Sequence, residues 1–310
     1  MSDQKVHELI IIGSGPAGLT AAIYAARADL KPLLIAGIKF GGQLMDTTLV
    51  ENYPGFIDGV MGPELMNSMM KQAERFGTEV VYKNADKVDF TGDVKKVYVE
   101  DTEYQAKSVI LAMGSSPRRL NIPGEQEFYG RGVSTCATCD AAFYRDKIVA
   151  VVGGGDSAME ESTFLTKFAS KVYVIHRRDE FRASKAMQNR LFENKKIEVI
   201  WNAEVTEVVG SEVVTSLKLQ DNNGNSLDDI TVDGMFLAIG HIPNTQILEG
   251  QIELDEQGFI IVKDGRTKTS NEGVFVAGDI KDHVYQQAVT AAGMGCMAAM
   301  DVEKWLESKK

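Results

Sequence analysis

The chain has 310 residues, of which 44% are hydrophobic and 25% charged; this is a globular composition, and the length favours two domains over one compact core. Its formal net charge of -11 argues against a nucleic-acid binder or a protein held on anionic lipid, because both need basic surface. No apolar run approaches the roughly 18 residues that span a bilayer, and the first eight residues lack a secretion signal's apolar core. We therefore expect a cytoplasmic protein with no nucleic-acid or membrane partner.

The first predicted strand, residues 8–12, ends in the glycine-rich loop of residues 13–18. Apolar residues then recur at helical spacing from Leu19 to Ala26, so the loop joins a strand to a helix. In that context backbone N–H groups and the helix N-terminus can hold a pyrophosphate. One such loop alone is weak support for a nucleotide site.

The same unit recurs later in the chain. Residues 147–152 form a second apolar strand, which ends in Gly153-Gly154-Gly155 with Ala158 closing the loop, and a helix is predicted to follow. Two copies of one strand-loop-helix unit predict two Rossmann-like nucleotide-binding domains of βαβ type.

Other segments complete the predicted α/β fold. Residues 78–110 and 197–237 alternate polar and β-branched positions, which predicts antiparallel β-sheet insertions. Residues 273–279 read as a last strand followed by a long C-terminal helix. The turn-rich segments 114–117 and 240–244 are candidate links between the domains.

The strand at residues 172–175 ends in His176-Arg177-Arg178, and Arg182 follows one turn later. An acid at this position of the fold would accept a hydrogen bond from a free ribose 2′-hydroxyl, whereas a basic cluster suits a 2′-phosphate. The cluster therefore favours NADPH over NADH. The alternative is a solvated basic face beside Asp179 and Glu180.

The first domain indicates its ligand less directly, because its second strand ends at Ala36-Gly37 with neither an acid nor an arginine. Asp279 favours a flavin, since a carboxylate at a strand end can hold a polyol hydroxyl. The helix after it can aim its positive N-terminus at a reduced flavin ring.

Cys136 and Cys139 are separated by two residues and can close a small disulfide, while a thiolate near a helix start exchanges rapidly. Asp140 follows directly and can pass a proton to a leaving thiolate. Two other interpretations stay open: a structural pair, and a zinc site that recruits Cys296 and a histidine. Zinc usually takes four ligands, and the chain has no second such pair, so we expect no metal. Cys296 lies among small residues and is predicted to be a buried, inert thiol.

Seven motifs together resemble the low-molecular-weight bacterial type of thioredoxin reductase over nearly the whole chain. They are Gly-Ser-Gly-Pro-Ala-Gly from residue 13, Gly-Gly-Gln-Leu from 41, Glu-Asn-Tyr-Pro-Gly from 51, Gly-Arg-Gly-Val-Ser from 130, Cys-Ala-Thr-Cys-Asp from 136, His-Arg-Arg-Asp from 176 and Gly-Val-Phe-Val-Ala-Gly-Asp from 273.

The resemblance implies a discontinuous FAD-binding domain of residues 1–117 and 246–310, with an NADPH-binding domain of residues 118–245 inserted into it. It implies that Cys139 lies against the flavin, that Cys136 exchanges with the disulfide of thioredoxin or a related small dithiol protein, and that Asp140 donates the proton. It also implies a homodimer and a rotation of the middle domain, for which the two links are candidate hinges.

The motifs also imply which residues of this chain bind the two nucleotides. For FAD they are Gly13, Ser14, Gly15, Pro16, Ala17, Gly37, Gly42, Gln43, Asn52, Asp279, Gln287 and Ala288. For NADPH they are Gly154, Asp156, Ser157, His176, Arg177, Arg178 and Arg182.

Three positions depart from the family pattern. Gln286 replaces a common arginine, Ala142-Phe143 replaces a pair of aromatic residues after the thiol motif, and Met113 replaces a threonine. Competing classes fit less well: ferredoxin reductases of this architecture lack the thiol pair, and peroxide-reductase flavoproteins carry an added N-terminal region. A non-enzymatic nucleotide sensor that uses the pair as a redox or zinc switch is the third hypothesis.

Overall fold

The structure is a computed structural model, and it describes residues 5–263 and 265–310. The chain forms two compact units: the first is Met1–Ser116 with Ile242–Lys310, and the second is Pro117–His241. None of the helices in the described residues is both long enough and apolar enough to cross a bilayer.

Runs of strands are separated by helices in the described part of the chain. In order, the strands are β1 (Val6–Ile12), β2 (Leu33–Ile35), β3 (Leu49–Val50), β4 (Val60–Met61), β5 (Glu79–Val81), β6 (Lys87–Asp89), β7 (Lys95–Val99), β8 (Thr102–Leu111), β9 (Ser115–Pro117), β10 (Val133–Ser134), β11 (Ile148–Gly153), β12 (Lys171–His176), β13 (Ile197–Trp201), β14 (Ala203–Gly210), β15 (Val214–Asp221), β16 (Ile230–Thr231), β17 (Gly234–Ala238), β18 (His241–Pro243) and β19 (Val274–Val276). The α-helices are α1 (Pro16–Arg27), α2 (Gly62–Arg75), α3 (Ala137–Asp140), α4 (Asp156–Leu165), α5 (Lys185–Phe192) and α6 (Ala288–Glu307).

The first unit is built on a sheet of order β5-β2-β1-β8-β7-β6, with β19 also beside β8. Strands β5, β2, β1, β8 and β19 pair in parallel, while β6, β7 and β8 pair antiparallel. Alternate residues of β1 enter two different cores: Leu9 and Ile11 pack with α1, α2 and α6, whereas Ile10 and Ile12 pack on the opposite face. Burial on both faces explains why this strand is an apolar run rather than an alternating one.

The second unit has a parallel sheet of order β10-β17-β11-β12-β13 and a separate antiparallel sheet of order β14-β15-β16. One core lies between the parallel sheet and α3, α4 and α5. The other lies between the same sheet and the antiparallel layer. The predicted class, two Rossmann-like βαβ folds with antiparallel insertions, is confirmed.

Three strand assignments within that prediction were wrong. The alternating pattern assigns Glu79–Val81, Ile197–Trp201 and most of Gly234–Ala238 to antiparallel sheets, yet β5, β13 and β17 pair in parallel with β2, β12 and β11. Strand β17 is buried between β10 and β11, as is typical of a parallel strand. Strands β5 and β13 are edge strands with partly exposed side chains. A half-exposed edge strand alternates whichever way it pairs, so periodicity alone does not give its direction.

The chain passes between the units at β9 and β18, which fall within the predicted links and pair with each other. Backbone hydrogen bonds hold each side of this crossing, from Asn244 N–H to the Gly114 carbonyl and from Arg118 N–H to the Gly240 carbonyl. The distances are 3.0 Å and 2.9 Å respectively.

Helices α1 and α6 meet closely at Gly295. A Cβ at this residue would lie 2.1 Å from the carbonyl oxygen of Ala17, and both atoms are backbone-anchored. Gly293, two residues earlier in the same helix, is exposed and would have nothing within 4 Å of its Cβ. The two glycines therefore test packing and helix propensity separately.

We expect Gly295→Ala to lower the free energy of unfolding by about 1–3 kcal/mol, because the helices must separate to admit a methyl group. Gly293→Ala should raise it by about 0.5–1 kcal/mol, since alanine favours the helix and meets no neighbour. Denaturant unfolding followed by circular dichroism measures both. Equal effects at the two positions would contradict the close helix approach.

Candidate active site and nucleotide sites

Cys136 and Cys139 are joined in a disulfide with an S–S distance of 2.08 Å and a Cα–Cα distance of 5.3 Å. Cys136 is the N-cap of α3, so the disulfide sits at a helix start. Cys139 is exposed and Cys136 is half-buried. Across residues 5–263 and 265–310, no three His, Cys, Asp or Glu side chains are grouped for a metal ion.

Ser134, at the end of β10, contacts both the Cys136 backbone and the Asp140 side chain. Its hydroxyl oxygen accepts the Cys136 N–H at 3.0 Å and lies 3.4 Å from the Cys136 carbonyl oxygen, and the hydroxyl also hydrogen-bonds to the Asp140 carboxyl group. Burial raises the pKa of Asp140, and the hydrogen bond from Ser134 lowers it in part. Asp140 therefore keeps its proton to higher pH than an exposed aspartate, as a proton donor must.

Sequence reasoning missed Ser134, because one serine two residues before a cysteine carries no distinguishing signal. Cys296 also differs from its prediction: it is half-buried rather than buried, with its sulfur 3.9 Å from that of Met300.

The second glycine loop leaves one residue open for a ligand. Gly154 is covered by the His176 ring, which a Cβ there would meet at 2.2 Å. A Cβ at Gly155 would meet nothing within 4 Å, and this residue is the N-cap of α4. The open space thus lies directly at the helix start, where an anion is favoured.

The predicted NADPH residues divide into supporting and exposed groups. His176 is buried under Gly154, and its Nε2 lies 3.0 Å from the Glu180 carbonyl oxygen. Burial lowers the pKa of His176, so it adds no positive charge at neutral pH. The Asp156 carboxylate accepts the Ser184 N–H at 2.8 Å and thereby holds the loop that carries Arg182. Ser157 is exposed in the first turn of α4.

Arg177, Arg178 and Arg182 are exposed, and the part of the chain that the structure describes gives none of them an ion pair. Arg177 and Arg178 line an open depression of about 700 Å³, whose other wall includes Glu204 and Asp221. Asp179 and Glu180 form no ion pair with these arginines, so their guanidinium groups are accessible to an anionic ligand.

The first glycine loop follows the same design. Gly13 has φ +104°, and a Cβ there would lie 2.3 Å from the Ala112 carbonyl oxygen, so only glycine fits. The Ser14 hydroxyl donates to the Ala36 carbonyl and accepts the Gly41 N–H, which holds the loop after β1 against the segment that follows β2. Gly15, the N-cap of α1, would have nothing within 4 Å of a Cβ. Pro16 and Ala17 open the helix.

Asp279 has a buried carboxylate oxygen, Oδ1, with no hydrogen-bond partner among the described residues. Burial, and then the charge of Asp282, raise the pKa of Asp279 to about 7. An unpaired buried acceptor is costly, and a polyol hydroxyl would satisfy it. The residues therefore fit the ribityl chain of a flavin.

The remaining flavin candidates belong to the same unit as Asp279, and several of them make polar contacts with one another or with nearby backbone. Gln43 donates to the Ser115 carbonyl at 2.9 Å, and Asn52 donates to the Gln287 side chain at 3.3 Å. Gln287 caps α6, which begins at Ala288. The other two candidates, Gly37 after β2 and Gly42, have φ +83° and +66°. A Cβ at Gly42 would lie 3.5 Å from the Gly15 Cα, so these two loops approach closely.

The described geometry thus contains one disulfide and two glycine loops at helix starts, and the comparisons with known proteins agree with it. The chain matches the pyridine nucleotide-disulphide oxidoreductase family over residues 7–295. It is 55% identical over 305 residues to the thioredoxin reductase of Mycolicibacterium smegmatis, covering 98% of each chain. The chain belongs to the low-molecular-weight thioredoxin reductases of this family.

Two further comparisons support this membership. The bifunctional thioredoxin reductase/thioredoxin of Mycobacterium leprae (strain TN) is 53% identical over 304 residues, which cover 98% of this chain and 66% of that protein. The solved thioredoxin reductase from Giardia duodenalis superimposes with a TM-score of 0.93 at 43% identity, covering 98% of this chain and 100% of that one. Membership makes the chain an oxidoreductase and implies a flavin and a pyridine nucleotide. The nucleotide-sensor hypothesis was therefore wrong.

We expect Ser134→Ala to raise the pKa of Asp140 further, because the hydrogen bond that lowers it is lost. The variant should also lose about 1–3 kcal/mol of stability, since the Cys136 N–H is left without its acceptor. Carboxyl-carbon NMR titration of aspartate-labelled protein measures the pKa. Thr135→Ala is the matched control, because that hydroxyl contacts Tyr129 instead, at 3.1 Å. An unchanged pKa in Ser134→Ala would contradict the arrangement.

Proposed function

We propose that the chain catalyses the NADPH-dependent reduction of the disulfide of thioredoxin, or of a related small dithiol protein, through FAD and the Cys136–Cys139 pair. The observation that carries this proposal is the disulfide at the start of α3, in the same unit as the second glycine loop. Bound FAD would supply a two-electron relay between a hydride donor and a disulfide.

We assign FAD to the first unit and NADPH to the second. For FAD, the open Gly15 would admit the pyrophosphate at the start of α1, and the unpaired Asp279 oxygen would accept a ribityl hydroxyl. For NADPH, the open Gly155 would admit the pyrophosphate, and the exposed Arg177 and Arg178 would bind the 2′-phosphate.

Within the thiol pair, the Cys136 thiolate would attack the substrate disulfide, forming a mixed disulfide and releasing one substrate thiolate. Asp140 would give that thiolate a proton. The Cys139 thiol would then give its proton to the Asp140 carboxylate and attack the Cys136 sulfur of the mixed disulfide, which releases the second substrate sulfur as a thiolate and restores the Cys136–Cys139 bond. The raised pKa of Asp140 supports its part, and the unequal roles of the sulfurs rest on the family resemblance.

The two units would adopt two arrangements in turn. The nicotinamide and the disulfide must each reach the flavin ring, and they cannot occupy the same space beside it. The two crossing strands, β9 and β18, are short and each carries a proline, Pro117 and Pro243. We propose that the units rotate about these links between half-reactions.

The partner assignment has two supports. The Mycobacterium leprae relative is named as a thioredoxin reductase and a thioredoxin in one chain. Phe143, just after the thiol motif, is 42% exposed, and an exposed aromatic ring beside a redox disulfide suits a protein substrate. We further propose a cytoplasmic homodimer. Tyr24, Met297 and Met300 are large exposed side chains on the paired helices α1 and α6, which a second copy would cover.

Cys136→Ser should abolish thioredoxin turnover, with a loss on the order of 10³-fold or more, because the attacking thiolate is removed. Flavin bleaching by NADPH should persist, since it precedes the thiol step. The assay is NADPH oxidation with thioredoxin, and Cys296→Ser serves as the control that retains activity. Normal turnover by Cys136→Ser would exclude the assigned role.

The double variant Arg177→Ala and Arg178→Ala should raise the KM for NADPH by roughly 10–100-fold or more, because charge-assisted hydrogen bonds to phosphate are lost. The KM for NADH should change little. Steady-state reduction of the flavin with each nucleotide measures both, and Arg190→Ala, an exposed arginine on α5, is the matched control. A parallel loss for both nucleotides would count against a 2′-phosphate site.

A further inference from the structure

Glu161 is a partly buried acidic side chain on the glycine-loop helix, which packs against the helix of the thiol pair. It belongs to α4, which contacts α3. The backbone N–H of Ala137, the first residue of α3, donates a hydrogen bond to its carboxyl group. Among the described residues, the other oxygen, Oε2, is buried without a hydrogen-bond partner.

The first of these contacts has a structural explanation. Helix starts leave N–H groups without partners, and the N-cap Cys136 gives α3 no side-chain capping hydrogen bond. Glu161 supplies that acceptor from the neighbouring helix. An amide would serve equally well for this purpose, so capping does not explain an ionisable group with a buried, unpaired second oxygen.

The surroundings of Glu161 favour its protonated form. Burial, the largest cause, raises the pKa of Glu161 to about 8; the Ala137 N–H lowers it and the charge of the adjacent Glu160 raises it. The other elements packed on α4 are α3, α5, β11, β12 and β17. Their charged or titratable groups are Asp140 and, once reduced, Cys139 on α3, Lys185 and Arg190 on α5, and Lys171, Tyr173 and His176 on β12.

We propose that Glu161 is a positioning residue for the thiol pair, which caps the helix that starts at Cys136 and takes up a proton when the disulfide is reduced. The proposal rests on the redox role proposed above for Cys136 and Cys139. It goes beyond that role because it links reduction to a carboxyl group outside the Cys-Ala-Thr-Cys-Asp motif.

Reduction of the disulfide and protonation of Glu161 are coupled by the negative charge that reduction creates. Reduction breaks the S–S bond with two electrons and one proton, and leaves one thiol and one thiolate at the start of α3. Glu161 binds to the N–H of that same start, so the new thiolate opposes its ionisation and strengthens its hold on a proton. Where Glu161 is ionised beside the intact disulfide and protonated beside the thiolate, reduction takes up a second proton, which goes to the carboxylate.

The test is the pH dependence of the disulfide equilibrium with dithiothreitol in the flavin-containing protein. Reduced and oxidised Cys136–Cys139 are trapped by alkylation and counted by mass spectrometry, which separates the pair from the flavin. The variants are Glu161→Gln, which keeps an acceptor for the Ala137 N–H but cannot ionise, and Glu160→Gln, a change at the exposed neighbouring position. Bound flavin and circular dichroism check folding.

Above about pH 8, the equilibrium constant for reduction should depend on pH more steeply in wild type than in Glu161→Gln, by up to a factor of ten per pH unit, which is one proton. Glu160→Gln should keep the steep region but begin it at lower pH, because a charge that raises the Glu161 pKa is gone. Identical pH slopes in wild type and Glu161→Gln would overturn the proposal.

A second measurement uses only the wild-type protein. The infrared difference spectrum of wild-type protein on reduction above pH 8 should gain a carbonyl stretch of a protonated carboxyl group, and its absence would also overturn the proposal. Failure of the wider function is distinguishable, since dithiothreitol or NADPH would then leave Cys136 and Cys139 joined at every pH.

Discussion

The N–H groups at the start of a helix have no partners inside that helix, and this chain repeatedly places such groups where buried parallel strands end. Strand β1 leads to α1, β11 leads to α4, and β10 leads to α3. At the first two starts a glycine without a neighbour leaves room for a phosphate, and at the third a cysteine occupies the N-cap. The proposed phosphate binding and thiolate formation would therefore depend on one backbone feature that occurs at three helix starts.

Side chains decide what each helix start does. In the first unit the nearby polar group is Asp279, whose unpaired buried oxygen suits a neutral hydroxyl rather than a phosphate. In the second unit the exposed arginines after β12 suit a phosphate. Around α3 the neighbours are Asp140 and Glu161, two partly buried acids whose pKa values are both raised by burial. A helix start that favours negative charge and acids that carry protons are what dithiol chemistry needs.

Sequence reasoning found those features whose partners lie close along the chain. The glycine loops, the thiol pair and Asp140 are local patterns, and their periodic flanks were sufficient to predict strand, turn and helix. Ser134 and Glu161 were missed because their importance comes from contacts that only the folded unit creates: Glu161 reaches Ala137 across two packed helices. The direction of β5 and the half-burial of Cys296 were likewise set by tertiary neighbours rather than by local pattern.

The central claim is that electrons from a pyridine nucleotide reach the Cys136–Cys139 disulfide through the flavin. Anaerobic titration of the flavin-containing protein with NADPH tests it directly, with thiols alkylated and identified at each step. The account predicts that one equivalent reduces the disulfide and one the flavin, and that Cys136 and Cys139 become alkylated as NADPH is consumed. A flavin that bleaches fully while the two cysteines remain joined would contradict it.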